Sequence, residues 1–192
     1  MYLYRNGTPE ILFAARFSLF CYNLAGTVTF FVRVTMEIVW LGHSSLRITS
    51  RNVTLVTDPY RDSLGVPMPR HSAQIVTVSH QHPHHSHLDA VDGNPRVLSG
   101  PGEYEIASFY ISGMGTRRIP EPQRDEADRQ INTVFTIRAE GLTLCHLGDL
   151  AEPLSPGQVE ELNQTDVLFV PAGGTCTISA AKAAELANLI GP

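Results

Sequence analysis

Residues 73–87, AQIVTVSHQHPHHSH, join an apolar, β-rich run to a cluster of five histidines. The run 73–80 predicts a buried strand that delivers the histidines at its C-terminal end. Because alternate residues of an extended chain point the same way, His80 and His82 can converge on one ion. A tight turn through the proline that follows can bring His85 round to a neighbouring position.

These histidines predict a metal site. Neutral imidazole nitrogens are ligands that suit zinc, iron, copper or nickel. Several such ligands at the end of a buried strand, beside a loop, favour an open site over a closed structural one. A histidine-rich surface loop that binds metal loosely is the alternative that this stretch alone leaves open.

Short strands dominate the chain after residue 36, and helices come late. Apolar and alternating runs predict strands within 37–42, 43–50, 52–60, 73–80, 94–104, 108–115, 131–149 and 166–174, with a hairpin in 131–149. Helices are predicted at 155–163, with Ser155 as N-cap, and at 177–191, which ends at a glycine. The polar stretch 117–130 predicts an exposed loop. Many strands followed by helices indicate an α/β sandwich of stacked sheets with helices outside.

The composition is that of an ordinary globular protein with one domain. The chain has 192 residues and a formal net charge of −5, so binding to nucleic acid is not indicated. Its three cysteines lie far apart without a C-x-x-C pair, which fits a reducing compartment, and we expect a cytoplasmic location. The oligomeric state is left open.

The first 35 residues differ from the rest of the chain. The stretch 11–32 is largely apolar but is interrupted by Arg16 and Asn23, and a central arginine in a spanning helix costs about 3 kcal/mol. A poor membrane anchor, an extra packed segment and an upstream extension are the three interpretations. We favour an extension outside the core, since a strongly patterned strand follows Met36 at once, and we predict a domain over 36–192. Membrane association through 11–32 is the less favoured alternative.

Several motifs, in their order, resemble the metallo-β-lactamase superfamily, and within it the small metal-dependent hydrolase-like proteins. MEIVWLGHSSLRI (36–48) and LVTDPY (55–60) resemble the opening hairpin and a strand that ends in aspartate. SHQHPHHSH (79–87) resembles the H-x-H-x-D-H metal loop. GPGEYEI (100–106) and TLCHLGDL (143–150) resemble the segment that carries the later metal-binding aspartate.

The resemblance implies a four-layer αββα sandwich with a metal site at one edge. It implies hydrolysis by a metal-bound hydroxide, with one or two zinc ions as cofactor and manganese, iron or nickel as alternatives. The expected substrate is a small molecule with an ester, amide, lactone or phosphodiester bond. The family usually ends with a further strand and a last metal histidine, so the chain resembles a member that is incomplete at its C-terminal end.

The family's roles carry over onto five positions. His80 and His82 match the first-metal histidines, and His85 matches the second-metal histidine. Asp149 matches the aspartate that bridges two metals, and it is expected to orient the nucleophile. Asp58 matches the strand-end aspartate that supports the metal loop, because a ligating imidazole needs an acceptor for its other N–H.

The chain departs from the family pattern at several positions. His84 stands where the family has a metal-binding aspartate, which makes it a candidate ligand and catalytic residue of altered chemistry. The stretch 113–122 offers no histidine, and His146 is a further candidate ligand unless it supports the site from outside or lies in the core. His43 either faces the same pocket or is a hydrogen-bonded histidine near a strand end. These departures support the alternative of a degenerate, non-catalytic metal-binding member.

Overall fold

The computed structural model describes residues 35–62, 65, 67–117 and 131–192, together with the backbone of three strands nearer the N-terminus. The described strands are β1 (Tyr2–Arg5), β2 (Thr8–Glu10), β3 (Ala14–Ser18), β4 (Thr35–Gly42), β5 (Ser45–Ser50), β6 (Val53–Thr57), β7 (His71–Ser72), β8 (Ile75–Val78), β9 (Val91–Asp92), β10 (Arg96–Ser99), β11 (Gly102–Ile106), β12 (Phe109–Arg117), β13 (Ile131–Ala139), β14 (Leu142–His146) and β15 (Val167–Val170). The described α-helices are α1 (Pro156–Glu161) and α2 (Ala180–Ile190).

The first sheet has six strands in the order β10-β8-β6-β5-β4-β3. Strands β3 to β6 pair antiparallel, whereas β6, β8 and β10 run parallel. Thr57 is paired with Thr77 in the register of β6 and β8. The carboxyl ends of these two parallel strands therefore lie at the same edge of the sheet, and the segments that follow them start side by side.

The second sheet has seven strands in the order β11-β12-β13-β14-β15-β1-β2. Among the described strands of this sheet, β14 and β15 pair parallel, and His146 is paired with Phe169. The segments after β14 and β15 therefore also leave the sheet at a common edge. A backbone hydrogen bond of 2.8 Å from the Thr133 N–H to the Ser79 carbonyl joins this edge to the end of β8.

The two sheets pack face to face through one apolar core. Residues facing this core alternate with residues facing the other way, as the two-residue period of a strand requires. Its fully buried members include Met36, Leu46, Ile48, Leu55, Ile75, Phe109, Ile111, Phe135, Ile137 and Leu144. Both sheets contribute to this list, so the interface between them is the main hydrophobic core of the domain.

The two outer faces are covered in different ways. The helices cover the second sheet, where α2 buries Leu186 and Ile190 against a second apolar cluster. The outer face of the first sheet packs instead against residues that precede and follow β8, which include the buried Tyr60, Met68, Ala90 and Val91 and a short 3₁₀ turn at Leu88–Ala90. Among the residues that the structure describes, no α-helix lies on this face, and the fourth, helical layer stays a prediction.

The predicted elements agree with the observed ones in most places. Ser155 caps α1 in a capping box with Gln158, and Gly191, at φ +67°, ends α2. The predicted hairpin forms between β13 and β14, with Glu140 and its glycine neighbour at positive φ in the turn. One short strand is predicted within 94–104. The structure has two strands there, β10 and the beginning of β11. The loop predicted at 117–130 lies outside the described residues except for the end of β12.

The N-terminal segment contributes strands to both sheets. Strand β3 pairs with β4, and β1 pairs with β15. The side chains of residues 1–35 lie outside the described part, so the predicted place of this segment outside the core stays a prediction. Of the apolar stretch 11–32, only the backbone of β3 is described. No helix in the described residues is both long and apolar enough to cross a bilayer.

Two leucines of α2 test how this helix packs. Leu186 is 6% exposed, whereas Leu189 is 63% exposed. We expect Leu186→Ala to lower the free energy of unfolding by about 2 to 5 kcal/mol, because it leaves a cavity against the second sheet. The same truncation at Leu189 should change it by no more than about 0.5 kcal/mol. Urea denaturation measures both, and similar losses for the two variants would contradict the observed orientation of α2.

Candidate metal centre

Four chain segments meet at one edge of the two sheets. Two of them follow the parallel strands β6 and β8 and carry Asp58 and the histidine loop 79–87. The third follows β14 and carries Asp149, and the fourth is the turn at residues 43–44 between β4 and β5. The topology of the sheets therefore gathers side chains that lie more than a hundred residues apart in the sequence.

Asp58 is the buried centre of this junction. Its Oδ1 accepts a hydrogen bond of 2.7 Å from the Ser79 backbone N–H, and its Oδ2 accepts one of 2.6 Å from the Ser79 hydroxyl. The same Oδ2 lies 2.8 Å from His85 Nδ1 and 3.2 Å from the Ser44 hydroxyl. One carboxylate thus joins the end of β6, the histidine loop and the β4–β5 turn.

The environment of Asp58 keeps it ionised. Burial alone would raise its pKa, but attraction to the imidazole of His85 when that ring is protonated, and the hydrogen bonds from His85 and Ser79, bring the pKa well below its ordinary value. An ionised carboxylate only accepts hydrogen bonds, so His85 donates from Nδ1. The Nε2 lone pair of His85 is then left for the site, which is the tautomer that a metal ligand requires.

His80, His85 and Asp149 converge at the end of the two sheets. The His80 Nε2 atom lies 3.7 Å from Asp149 Oδ2, and His85 Nε2 lies 3.6 Å from Asp149 Oδ1. One ligand atom from each residue lies within 4.8 Å of the other two, and all three residues are buried. Two imidazole nitrogens and a carboxylate oxygen form a donor set that zinc and other first-row divalent metals take, so these residues fit a metal ion.

A buried asparagine holds Asp149 in place. The Asp149 backbone N–H donates to Asn132 Oδ1 at 2.8 Å, and Asn132 Nδ2 donates to the Leu147 carbonyl at 3.0 Å. Gly148, at φ +58°, makes the turn between them, and an added Cβ there would press on the Asn132 side chain. Sequence reasoning missed Asn132, because an amide at the start of a strand carries no pattern of its own.

The other two predicted loop ligands, His82 and His84, lie beside this group. The His82 ring stacks on His80 with centroids 5.9 Å apart, and its Nδ1 accepts the His84 backbone N–H at 3.1 Å. The His84 ring lies edge-on to His82, with centroids 4.8 Å apart. Neither belongs to the group whose ligand atoms all lie within 4.8 Å, and their metal-binding roles stay predictions.

A pocket of about 240 Å³ opens onto the group. Residues from the histidine loop, from the β4–β5 turn and from the segments after β14 and β15 line it. They are His43, His82, His84, His85, Asp149, Gly173, Thr175, Cys176 and Thr177. The segment after β15 was not predicted to reach the site, since only the parallel pairing of β14 and β15 brings it there.

His146 supports the site from behind. Its Nε2 donates to the Ser44 carbonyl at 2.9 Å, so this nitrogen serves the β4–β5 turn rather than an ion. Burial lowers the pKa of His146, although Asp58 acts in the opposite direction. The sequence left three roles open for His146: metal ligand, support from outside the ligand set, and core residue. The observed contact fits support from outside the group of His80, His85 and Asp149.

His43 faces the pocket, which the sequence left undecided. Its Nε2 lies 3.2 Å from His85 Nε2, although His43 as a whole residue is exposed. Partial burial and, after it, the charge of His85 lower the pKa of His43 to about 4. Because His43 is exposed, solvent screens part of this effect. His43 therefore presents a neutral imidazole to the site at neutral pH.

Comparison with known proteins identifies the family. A profile described as a β-lactamase superfamily domain matches residues 37–192. The chain belongs to this superfamily. A UPF0173 protein of Pyrococcus furiosus is 28% identical over 82% of the chain and 80% of its own length. A "UPF0173 metal-dependent hydrolase" of Ruegeria pomeroyi is 35% identical over 39% of the chain and 35% of its own length.

Solved structures confirm that this superfamily member has the metallo-β-lactamase fold. A candidate zinc-dependent hydrolase of the metallo-β-lactamase superfamily from Thermotoga maritima is 40% identical, with a TM-score of 0.66 over 81% of the chain and 71% of its own length. A candidate metal-dependent hydrolase from Parabacteroides distasonis is 21% identical, with a TM-score of 0.63. The match covers 82% of the chain and 79% of the length of that protein. The resemblance inferred from the motifs is thereby confirmed.

The buried His146 predicts a pH dependence of stability. A histidine whose pKa is lowered by folding contributes stability that is present above its ordinary pKa of 6.5 and is lost as the pH falls below that value. Glutamine can keep a donor to the Ser44 carbonyl but does not titrate. We therefore expect the free energy of unfolding to fall less steeply between pH 7 and pH 5 in His146→Gln than in the wild type. Urea denaturation in the presence of a chelator measures the two slopes, and equal slopes would contradict this account.

Proposed function

We propose that the chain is a metal-dependent hydrolase whose ion is zinc, held by His80, His85 and Asp149. The observation that carries this proposal is the convergence of two imidazole nitrogens and a carboxylate within 4.8 Å, with Asp58 behind one of the imidazoles. The names of the relatives, which include metal-dependent hydrolases, support the same reaction class. Manganese, iron and nickel are alternative ions, and one or two ions are compatible with the cluster of histidines.

A zinc ion, when bound, supplies an activated water and polarises the bond that is broken. Residues around the site hold the proposed ligands in position. Asp58 fixes the His85 ring and its tautomer, and Asn132 fixes the backbone of Asp149. The Asp149 carboxylate lines the pocket, where it would orient the water nucleophile by accepting a hydrogen bond from it.

His82 and His84 are proposed to extend the ligand set. The Nδ1 atom of His82 is engaged by the His84 backbone, so Nε2 is the nitrogen that His82 offers to an ion beside His80. His84 occupies the family's aspartate position and lines the pocket, where it brings an imidazole in place of a negative charge. A second ion bound there would have one anionic ligand fewer than the family pattern provides.

The proposed substrate is a small molecule with an ester, amide, lactone or phosphodiester bond. A pocket of about 240 Å³ is smaller than the typical drug-sized site of about 300 to 1,000 Å³. Imidazole rings and the threonines at 175 and 177 supply polar atoms to a lining that is otherwise mostly apolar. The net charge of −5 supports neither a nucleic acid partner nor attraction to an acidic surface. Cys145 and Cys176 are both free, which supports a reducing compartment and the proposed cytoplasmic location.

A degenerate member that binds metal without catalysis is the second candidate function. The observation that favours it is the replacement of the family's aspartate by His84, which leaves Asp149 as the one carboxylate lining the pocket among the described residues. Such a protein would bind an ion through His80, His85 and Asp149 but would hold its nucleophile or second ion weakly. Metal content and turnover therefore have to be measured together.

The proposal is tested by elemental analysis of the purified protein combined with a screen of ester, lactone, amide and phosphodiester substrates. We expect at least about one equivalent of zinc after chelation and reloading, and hydrolysis that disappears in His80→Ala and Asp149→Asn. His87→Ala is the matched control from the same loop and should keep both properties. Less than one equivalent would contradict a metal-dependent enzyme, and full metal content without turnover in the screen would favour the degenerate member.

Asp58→Asn tests the hydrogen bond behind His85. The variant keeps the shape of the side chain, and asparagine tolerates the φ of +39° at this position, but it removes the negative charge that holds His85 Nδ1. Loss of such an outer partner lowers metal affinity by about 10- to 100-fold. Competition with a chromogenic chelator measures the affinity for Zn²⁺.

The control for this variant is Asp92→Asn. The Asp92 side chain is 54% exposed and pairs with Arg70 at 2.8 Å, away from the histidine loop, so its loss should leave the affinity for Zn²⁺ unchanged. If Asp58→Asn bound Zn²⁺ as tightly as the wild type, Asp58 would have only a structural role.

A further inference from the structure

We propose that His43 is a metal ligand, whose Nε2 joins the ion held by His85. The inference rests on the proposed metal-dependent function and deepens it, because it adds a ligand from the β4–β5 turn, outside the histidine loop. It also gives a reason why the chain can have His84 where the family has a metal-binding carboxylate. Three properties of His43 carry the inference: its distance from His85, the way its backbone is held, and its position in the pocket.

The distance between the two imidazole nitrogens is that of two ligands on one ion. In a tetrahedral site with zinc–nitrogen bonds of 2.0 to 2.1 Å, two ligand nitrogens lie about 3.3 Å apart. The His43 Nε2 and His85 Nε2 atoms lie 3.2 Å apart, with ring centroids 4.8 Å apart. Since His85 Nδ1 donates to Asp58, the His85 Nε2 lone pair points into this gap.

His43 lies to one side of the group formed by His80, His85 and Asp149. That group contains the residues whose ligand atoms all lie within 4.8 Å of one another, and His43 is not among them. His85 is therefore the residue that His43 shares with the group. His43 Nε2 would therefore reach the ion proposed for His80, His85 and Asp149 from the side of His85.

The backbone at His43 is held in an uncommon conformation. Its φ of +49° lies in the left-handed region, which asparagine, aspartate and histidine adopt more often than other residues with a side chain. The Trp40 Nε1–H donates to the His43 carbonyl at 3.0 Å, and His146 donates to the next carbonyl, that of Ser44, at 2.9 Å. The Tyr60 ring lies edge-on to His43, with centroids 6.0 Å apart.

These contacts turn the His43 ring into the pocket. Arg51 and Glu140 have similar positive φ values in other turns, so the backbone conformation belongs to the turn and is not by itself a sign of metal binding. In the pocket the imidazole contacts His85, with the Nε2 atoms 3.2 Å apart, and His84, with ring centroids 6.1 Å apart. The His43 side chain therefore lies where it can reach an ion held by His85.

An additional neutral nitrogen has a consequence for metal preference. Imidazole suits zinc, copper, iron and nickel, whereas carboxylates suit manganese and magnesium. With His84 in place of an aspartate and His43 beside His85, the site is rich in nitrogen and poor in oxygen. The preference for Zn²⁺ over Mn²⁺ should therefore depend on His43.

The test measures Zn²⁺ and Mn²⁺ affinity of the full chain after chelation, together with the visible absorption of the Co²⁺-loaded protein. The variants are His43→Ala and His43→Gly, with His87→Ala as matched control and His80→Ala as the test of the site itself. We expect both His43 variants to lose about 100-fold or more in Zn²⁺ affinity, because losing a ligand weakens binding more than the about 10- to 100-fold loss of an outer partner. Their Mn²⁺ affinity should fall less, and their Co²⁺ absorption bands should shift.

His43→Gly separates metal binding from folding. Glycine relieves the positive φ, so the melting temperature of this variant in the presence of chelator should equal or exceed that of the wild type, while its Zn²⁺ affinity falls. An affinity in His43→Gly that equals the wild-type value overturns the inference. A higher affinity overturns it as well, since His43 would then only be a hydrogen-bond donor that competes with the ion for His85 Nε2.

The same measurements distinguish this inference from the proposed function. Suppose that the wild type binds Zn²⁺, that His80→Ala abolishes this binding and that both His43 variants keep it. The proposed metal site is then supported, and the proposed ligand role of His43 is wrong. If the wild type itself binds no Zn²⁺, the proposed function fails and the inference fails with it. Loss of affinity in both His43 variants, with His87→Ala unchanged, supports the ligand role.

Discussion

The carboxylate of Asp58 is the constraint on which the rest of the site depends. It is fully buried, and it accepts hydrogen bonds from the Ser79 backbone, the Ser79 hydroxyl and His85. A buried charge without partners would be strongly destabilising, so the histidine loop has to stay where it satisfies this carboxylate. The same hydrogen bonds fix the tautomer of His85. Folding and metal-site geometry are therefore set by one group.

The sheets deliver the partners of this carboxylate without any sequence proximity. Parallel pairing of β6 with β8 places Asp58 beside the start of the histidine loop, and parallel pairing of β14 with β15 places Asp149 beside the loop that closes the pocket. The core between the sheets holds the two edges together. The candidate functional residues thus lie in loops, and the pairing register of the strands determines which loop residues come into contact.

The sequence predicts much of this arrangement because its signals are local. Alternating apolar residues mark the strands, Ser155 marks the start of α1, and the motif order places Asp58 and Asp149 near the histidine loop. Asn132 could not be predicted, since its contacts with residues 147–149 exist only after β13 and β14 pair. The position of His43 depends on a left-handed turn and on contacts from three separate elements, and no single stretch of sequence encodes it.

The position of the bound ion tests most directly whether His80, His85 and Asp149 hold it. Crystals of the zinc-loaded protein, measured at the zinc absorption edge, give an anomalous difference map that locates the metal independently of the protein coordinates. We predict a peak within about 2.0 to 2.2 Å of His80 Nε2, His85 Nε2 and an Asp149 oxygen, as zinc–nitrogen and zinc–oxygen bonds require. A zinc-loaded crystal whose peaks all lie away from these three residues would contradict the account.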